Sequence, residues 1–187
     1  MTDSDIPIIQ EFGKLNDWPL EVNMKKVIFL RHAKSQWDFV HGPVSDRDRP
    51  IKKKGIYRMK LLIQYYDDYF HHIDKVYCSP AKRALQTAKL LVKGFNWASE
   101  ILEVKEELYN FSDEPVLEFI SRLDDQLNTV VLVGHNPAFE SCINQLGNTD
   151  FDHLPTASFG MISFKENSWK KIQNGSVVLC LPGEREG

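Results

Sequence analysis

The sequence predicts an α/β fold with a mainly parallel sheet, and three observations support this prediction. Short apolar runs alternate along the chain with longer segments in which apolar residues recur at helical spacing. One run, Val130 to Val133, is unbroken, which is typical of a central strand covered on both faces. The length of 187 residues corresponds to about one domain of roughly 150 residues. A single α/β domain is therefore the expected architecture.

The predicted elements of the first half begin with a strand at Val27–Leu30, followed by a polar, proline-containing loop. A helix is predicted from Gly55, because the apolar residues behind it are spaced 3, 4, 3 and 4 apart. These residues are Ile56, Met59, Ile63, Tyr66 and Phe70. A second strand is predicted at Lys75–Cys78. Ser79-Pro80 then predicts a helix start, with Ser79 as the capping residue and proline at the first helical position.

The second half repeats this alternation. A strand at Ile101–Val104 precedes a helix whose apolar face contains Val116, Phe119, Ile120 and Leu123. The central strand Thr129–Val133 follows, and Asn136-Pro137 predicts another capped helix start. Two late strands, Phe159–Phe164 and Trp169–Ile172, are predicted to form a hairpin around the turn at 166–168. A last run, Val177–Leu181, is predicted to extend that edge.

The composition is that of a soluble globular protein. Hydrophobic residues make up 42% and charged residues 26% of the chain, which excludes an intrinsically disordered protein. No apolar run approaches the roughly 18 residues that a membrane span requires. The net charge of −3 gives no general reason to expect nucleic-acid binding. We therefore expect neither a nucleic-acid partner nor a membrane partner.

The cysteines and the early basic residues bear on the cellular compartment. Cys78, Cys142 and Cys180 contain no C-x-x-C pair and lie in apolar segments, which indicates buried packing in a reducing compartment. A reactive thiol is the alternative for Cys78. The basic start at Met24 is followed by only four apolar residues, too few for the roughly 7–15 of a signal peptide. A cytoplasmic location is predicted.

Three strand-to-helix junctions carry residues of matching chemistry. Arg31-His32 follow the first strand, Ser79 and Arg83 follow the second, and His135-Asn136 follow the central strand. Ligands of open α/β sheets bind at the carboxyl ends of the strands, so these junctions can converge on one crevice. Arginine donates paired hydrogen bonds to phosphate oxygens, and helix N-termini add backbone N–H groups. The sequence therefore predicts a pocket for a tetrahedral anion.

Five segments form an ordered series that resembles a known family. They are 30–35 (L-R-H-A-K-S), 48–50 (D-R-P) with Gly55, 79–84 (S-P-A-K-R-A) with 86–88, 133–137 (V-G-H-N-P) and 154–157 (L-P-T-A). The first resembles the R-H-[AG] signature of the histidine phosphatase superfamily. Its variant R-H-A-K-S, followed by Trp37-Asp38, is similar to the SixA-type phosphohistidine phosphatase branch. The resemblance covers about residues 24–187 and implies a phosphoglycerate-mutase-like fold, a three-layer α/β/α sandwich.

The resemblance implies a role for each matching residue. His32 would be the nucleophile, which takes the phosphoryl group and gives a phosphohistidine that water hydrolyses. Arg31 and Arg83 would clamp the phosphoryl oxygens. His135 would donate a hydrogen bond to the transferring group, and Asn136 would contribute to substrate binding. These four residues, His32, Arg31, Arg83 and His135, are the predicted catalytic set. No cofactor or metal is expected.

The charged stretch Asp46–Lys54 has two interpretations. It is either a solvated loop or a rim that places Arg49 beside the pocket to hold an anionic substrate. The general acid is also open, because no carboxylate after the third strand matches an acid motif, and Asp113 and Glu114 are weak candidates. An imidazole leaving group can be protonated near neutral pH without such an acid. A site without a strong acid is thus better suited to P–N than to P–O bonds.

We predict a phosphatase that forms a phosphohistidine intermediate and acts on phosphohistidine in a protein. The alternatives are a phosphomonoesterase for a small phosphorylated metabolite and, less favoured, a non-catalytic module that binds phosphate or phosphoprotein. Residues 24–187 are predicted to form the histidine phosphatase domain, and residues 1–23 an N-terminal extension that serves as a lid, a dimer contact or a loose tail. The oligomeric state is left open.

Overall fold

The computed structural model describes residues 8–12, 24–37 and 44–181, which form a seven-stranded sheet and four helices. The strands are β1 (Ile8–Phe12), β2 (Lys26–Arg31), β3 (Lys75–Cys78), β4 (Leu102–Val104), β5 (Thr129–Gly134), β6 (Phe159–Ser163) and β7 (Ser176–Leu181). The helices are α1 (Lys53–Tyr65), α2 (Lys82–Gly94), α3 (Glu114–Ser121) and α4 (Ala138–Gly147).

The strand order is β1-β7-β6-β2-β5-β3-β4. Strands β2, β5, β3 and β4 pair in parallel, whereas β6, β7 and β1 continue from β2 through antiparallel pairs. Strand β7 therefore runs in the direction of β2, and five of the seven strands point the same way. The predicted α/β fold with a mostly parallel sheet is confirmed.

Each face of the sheet is covered by one pair of helices. Alternate residues of a strand point to opposite faces, so Val27 and Phe29 of β2 pack with α3 and α4. Ile28 and Leu30 of the same strand pack with α1 and α2 on the other face. Every residue of β5 is buried, because that strand lies in the middle of the sheet. This arrangement is the predicted three-layer sandwich.

The predicted late hairpin was wrong in its second strand. Strand β6 pairs with β7, and Trp169–Lys171 is a short 3-10 helix. Trp169 is buried, and its indole N–H donates to the carbonyl of Leu127 at 2.9 Å. Its apolar character therefore reflects packing of a turn beneath the sheet and not a strand.

The two predicted helix caps were also misplaced. Helix α2 begins at Lys82 after Ala81, and α4 begins at Ala138 after Pro137. Neither Ser79 nor Asn136 caps the helix that follows it. Both side chains make contacts in the crevice at the sheet edge, as described below.

The extension contributes one strand to the sheet. Residues 8–12 form β1 and pair antiparallel with β7, from Ile8 opposite Leu181 to Phe12 opposite Val177. The remainder of the predicted extension, residues 1–7 and 13–23, lies outside the described residues, as does Asp38 of the first motif. Among the helices of the described ranges, none has the length and apolarity needed to cross a membrane.

The topology brings the three predicted junctions to one edge. Strand β5 lies between β2 and β3, and all three run in parallel, so their carboxyl ends are neighbours. Backbone hydrogen bonds continue the sheet beyond the strands: His32 N–H donates to Gly134 at 3.1 Å and Ser79 N–H to Val133 at 2.9 Å. The side chains that follow β2, β3 and β5 are therefore held side by side.

Candidate active site

A pocket of about 370 Å³ opens at this edge of the sheet. It is lined by Arg31, His32, Lys34, Ser35, Trp37, Asp46, Arg49, Arg83, Phe111, His135, Asn136 and Thr156. All the residues predicted for catalysis and substrate binding are in this set. The structure therefore brings together residues that lie up to 125 positions apart in the sequence, from Arg31 to Thr156.

His32 is held as a neutral imidazole with one ring nitrogen directed at an arginine. Its Nδ1 lies 2.8 Å from the carbonyl of Ala33, and its Nε2 accepts a hydrogen bond from Arg83 Nε at 3.2 Å. Because Arg83 can only donate, we assign the proton of His32 to Nδ1. Burial, aided by the charges of Arg83 and Arg31, lowers the pKa of His32 to about 3. Nε2 is thus unprotonated near neutral pH, and attack on phosphorus requires its hydrogen bond from Arg83 to be exchanged.

Arg83 connects the other groups of the pocket. Arg83 is 1% exposed, and four of the five N–H groups of its guanidinium have partners. Besides His32, it contacts Nδ1 of His135 at 3.2 Å, the Asp46 carbonyl at 2.6 Å and the Asp46 carboxylate at 3.0 Å. Its position follows from the first turn of α2, which starts directly behind β3.

Both ring nitrogens of His135 have hydrogen-bond partners. Nδ1 accepts from Arg83, so Nε2 carries the proton and donates to Ser79 Oγ at 2.8 Å. Ser79 Oγ in turn accepts the backbone N–H of Ala81 at 3.2 Å. Burial, with His32 and Arg83 adding to it, lowers the pKa of His135 to about 2. Donation from His135 to a phosphoryl oxygen would therefore require its hydrogen bond to Ser79 to be exchanged.

Arg31 lies at the end of β2 on the other side of His32. Its Nη1 donates to the carbonyl of Leu154 at 2.7 Å, and its own carbonyl accepts the N–H of Ala157 at 3.3 Å. Its Nε is buried and has no hydrogen-bond partner among the described residues. The segment around Leu154 therefore positions Arg31 while leaving this donor unused.

Asn136 and Glu140 fix the segment that holds Arg31. Asn136 Nδ2 donates to the Glu140 carboxylate and, at 2.8 Å, to the carbonyl of Leu154. The same Glu140 oxygen accepts the N–H of Leu154 at 2.8 Å. Asn136 lies at the pocket as predicted, but its amide is used here to hold the protein in place.

Arg49 belongs to the pocket wall and not to a solvated loop. It is 5% exposed, stacks on Trp37 with its guanidinium carbon 3.6 Å from the ring centre, and donates to Ser35 Oγ at 2.8 Å. The solvated interpretation holds for Arg47, which is exposed and pairs with Glu106 at 2.6 Å.

Asp46 is the pocket carboxylate for which the sequence predicted no role. One carboxylate oxygen accepts both Nε and Nη2 of Arg49 at 3.0 and 2.7 Å. The other accepts Arg83 Nη2 and the Tyr109 hydroxyl, each at 3.0 Å. Burial raises its pKa, but the hydrogen bonds from Arg49 and Tyr109 and the charge of Arg83 outweigh this effect and lower it to about 2. Its spacing of three residues from Arg49 was a signal for the pair.

The two weak candidates for a general acid do not line the pocket. Asp113 precedes α3, where its carbonyl accepts the N–H of Leu117 at 2.8 Å, and Glu114 is the first residue of that helix. Asp46 is the one acidic side chain in the described lining, and its low pKa keeps it ionised near pH 7. The pocket thus combines four cations, Arg31, Lys34, Arg49 and Arg83, with one carboxylate.

The mouth of the pocket is aromatic. Trp37 is 69% exposed and Phe111 is 54% exposed, and both belong to the lining. Within the described residues, no group of three or more His, Cys, Asp or Glu side chains is arranged to hold a metal ion.

The cysteines are unpaired and buried, as predicted. Burial raises the pKa of Cys78 to about 12, so its thiol stays protonated at neutral pH. A reactive-thiol role for Cys78 is not supported, because nucleophilic attack requires the thiolate.

Residues 27–113 match the family model described as histidine phosphatase superfamily, branch 1. This match supports membership of the superfamily. An uncharacterized protein of Mycobacterium tuberculosis is 28% identical over 160 residues, which are 80% of this chain and 96% of that protein. Superfamily membership supports phosphatase activity, and it confirms the resemblance predicted from the motifs.

Two solved structures show the range of similar proteins. A protein from Agrobacterium tumefaciens, assigned as the phosphohistidine phosphatase SixA, is 25% identical and has a TM-score of 0.66. The match covers 75% of this chain and 92% of that one. A protein from Escherichia coli, assigned as an alpha-ribazole-5′-P phosphatase, is 16% identical with a TM-score of 0.62 over 87% of this chain and 98% of that one. The latter likeness concerns the fold alone.

Proposed function

We propose that this protein is a metal-independent phosphatase that hydrolyses phosphohistidine in proteins through a phosphoryl group carried on His32. The observation on which the proposal rests is the neutral His32, whose Nε2 lone pair lies 3.2 Å from Arg83 in a cationic pocket. A nucleophile for phosphorus needs a free lone pair, and the negative charge of the transferring group needs cations in place. The cations are in place, and the Nε2 lone pair is freed when the Arg83 N–H that it accepts turns to a phosphoryl oxygen.

Each residue around His32 has a separate role in the proposed reaction. The Ala33 carbonyl fixes the Nδ1–H tautomer, so that Nε2 faces the phosphorus. Arg31, whose Nε is uncommitted, and Arg83 bind phosphoryl oxygens as charge spreads over them. His135 and Asn136 complete the walls, and Arg49 adds positive charge at the rim. Water then attacks the phosphorus, the P–Nε2 bond breaks, and the electron pair returns to His32.

A P–N bond is the favoured target because the described pocket lining contains no carboxylic acid that is protonated near pH 7. An alcohol needs a proton as it leaves, whereas an imidazole protonated in the substrate leaves as a neutral molecule. The exposed Trp37 and Phe111 give the mouth an apolar surface suited to a protein segment. The likeness to the Agrobacterium tumefaciens protein agrees with this substrate class.

A small phosphorylated metabolite is the second candidate. The pocket of about 370 Å³ is large enough for one, and the Escherichia coli neighbour is assigned as such an enzyme. A module that only binds phosphate or phosphoprotein is less favoured, because binding does not require an imidazole held neutral beside an arginine. The three buried, unpaired cysteines support the proposed cytoplasmic location.

The test compares two substrates and two variants. A phosphohistidine peptide and glycerol phosphate, an alkyl ester, are each incubated with wild type, His32→Ala and His71→Ala, the last being an exposed histidine outside the pocket lining. The proposal predicts a higher kcat/KM for the peptide, loss of both activities in His32→Ala, and no change in His71→Ala. Preference for the ester would favour the metabolite, and full activity in His32→Ala would exclude the mechanism.

A further inference from the structure

Asp46 is a carboxylate inside a pocket built for anions, and the proposed reaction assigns it no task. Its oxygens contact Arg83, Arg49 and the Tyr109 hydroxyl. Its side chain is nevertheless 42% exposed, while those of its two arginine partners are 2% and 6% exposed. An ionised group with a free surface in the pocket is placed to contact a bound substrate.

The position of Asp46 relative to His32 is set by a shared neighbour. The Arg83 guanidinium contacts His32 Nε2 through its Nε at 3.2 Å and the Asp46 carboxylate through Nη2 at 3.0 Å. A phosphoryl group bound to Arg83 therefore has the nucleophile near one part of the guanidinium and the carboxylate near another. An attacking nitrogen must approach in line with the departing group, and a carboxylate that contacts a different nitrogen of Arg83 from the one at His32 can reach that group.

We infer that Asp46 selects the leaving group: it favours substrates that present a cationic N–H, as a phosphorylated imidazolium or another protonated phosphoramidate does, over esters that release an anion. This inference rests on the proposed function and adds a specificity-determining residue to it. The carboxylate accepts a hydrogen bond from the N–H of a cationic leaving group. It repels the negative charge that develops on a departing phenolate or alkoxide.

The step balances without a proton from Asp46. The Nε2 lone pair of His32 forms the new P–N bond, and the electron pair of the old P–N bond goes to the substrate nitrogen. That ring already carries a proton on its other nitrogen, so a neutral imidazole departs. Asp46 stays ionised throughout, consistent with a pKa of about 2.

A matched pair of variants tests the inference. Asp46→Asn removes the charge while keeping the shape. Asp48→Asn makes the same change in the same short turn, where Asp48 accepts from Ser45 at 2.6 Å and does not line the pocket. For each protein, kcat/KM is measured with phosphoimidazole and with p-nitrophenyl phosphate. The ratio of the two values is the readout, because a loss of Arg83 positioning alone would lower both values together.

The expected result is a fall of about 10- to 100-fold in the phosphoimidazole-to-ester ratio for Asp46→Asn, the size expected for a lost charged hydrogen bond. Asp48→Asn keeps the wild-type ratio, and Asp46→Glu restores part of the loss. An unchanged ratio in Asp46→Asn, including a parallel loss on both substrates, overturns the inference. If wild type cleaves the ester but not phosphoimidazole, the proposed substrate class fails, and the inference fails with it.

Discussion

Gly55→Ala tests how closely α1 supports the nucleophile. A Cβ atom at Gly55 would lie 2.6 Å from the carbonyl oxygen and 2.9 Å from the nitrogen of Lys34. Both are backbone atoms of the segment that follows His32, and they cannot rotate away as a side chain can. The Ala33 carbonyl in the same segment fixes the His32 ring. The substitution therefore displaces the part of the chain that orients the nucleophile.

The size of the effect follows from the distances. Ordinary contact begins at 3.4 Å, so a gap of about 0.8 Å must open between α1 and Lys34. Overpacking of this kind costs about 1–3 kcal/mol, and alanine regains up to about 1 kcal/mol of helix propensity. We expect the free energy of unfolding to fall by about 1–2 kcal/mol. A shift of this size at the nucleophile lowers kcat/KM by about 10- to 100-fold.

Gly94→Ala is the matched control. It also lies in a helix, but the three atoms nearest its added Cβ all belong to the side chain of Ile63 and not to the backbone, with Cδ1 at 2.5 Å, Cγ2 at 3.0 Å and Cγ1 at 3.2 Å. Urea unfolding gives the stability of both variants, and hydrolysis of p-nitrophenyl phosphate gives their activity. Gly94→Ala should change stability by about 0.5 kcal/mol or less and keep its activity. Wild-type stability and activity in Gly55→Ala would refute the reasoning.

Three further predictions concern the groups that hold the histidines. Ser79→Ala leaves the buried Nε2–H of His135 without its acceptor, so the free energy of unfolding in urea should fall by about 1–3 kcal/mol. An unchanged free energy would contradict the hydrogen bond between His135 and Ser79. Thr87→Val removes the hydroxyl that accepts the Ala33 N–H at 2.9 Å. The free energy of unfolding should fall by about 1–3 kcal/mol, and kcat should also fall. Wild-type values of both quantities would count against a link between Thr87 and the nucleophile. The pKa falls on folding from 6.5 to about 3 for His32 and from 6.5 to about 2 for His135, so the unfolded chain binds more protons below about pH 6.5. Stability should therefore fall as the pH falls, and each of the two histidines contributes about 2 kcal/mol of the loss between pH 7 and 5. His32→Asn should weaken that dependence in unfolding curves, and an equally steep dependence would show that His32 is not its source.

The sequence predicted the sheet and the convergence of its junctions because both depend on local patterns. Each apolar run is short and continuous, and each junction residue follows its strand directly, so parallel pairing alone brings Arg31, Ser79 and His135 to one edge. The roles of Ser79 and Asn136 were less accessible. A polar residue before proline is also the pattern of a helix cap, and only the fold shows that both side chains bond within the crevice.

Asp46 and Trp169 show why the rest was not predictable. Asp46 contacts Arg83, which lies 37 positions later, and no local pattern reports such a distance. The mixed charges around Asp46 are also typical of solvated loops. Trp169 and Ile172 flank two lysines in a segment predicted to be a strand, but burial of Trp169 in the core cluster that contains Val130 and its bond to Leu127 stabilise a turn instead. Tertiary packing decided both cases.

The central claim is that the phosphoryl group passes through His32, and rapid chemical quench tests it most directly. Wild-type protein is mixed with a phosphohistidine peptide, quenched in base within one turnover, and examined by intact mass and peptide mapping. The account predicts one phosphoryl group per chain, stable to base, labile to acid, located on His32 and absent from His32→Ala. A phosphoryl group on another residue, or wild-type turnover by His32→Ala, would contradict it.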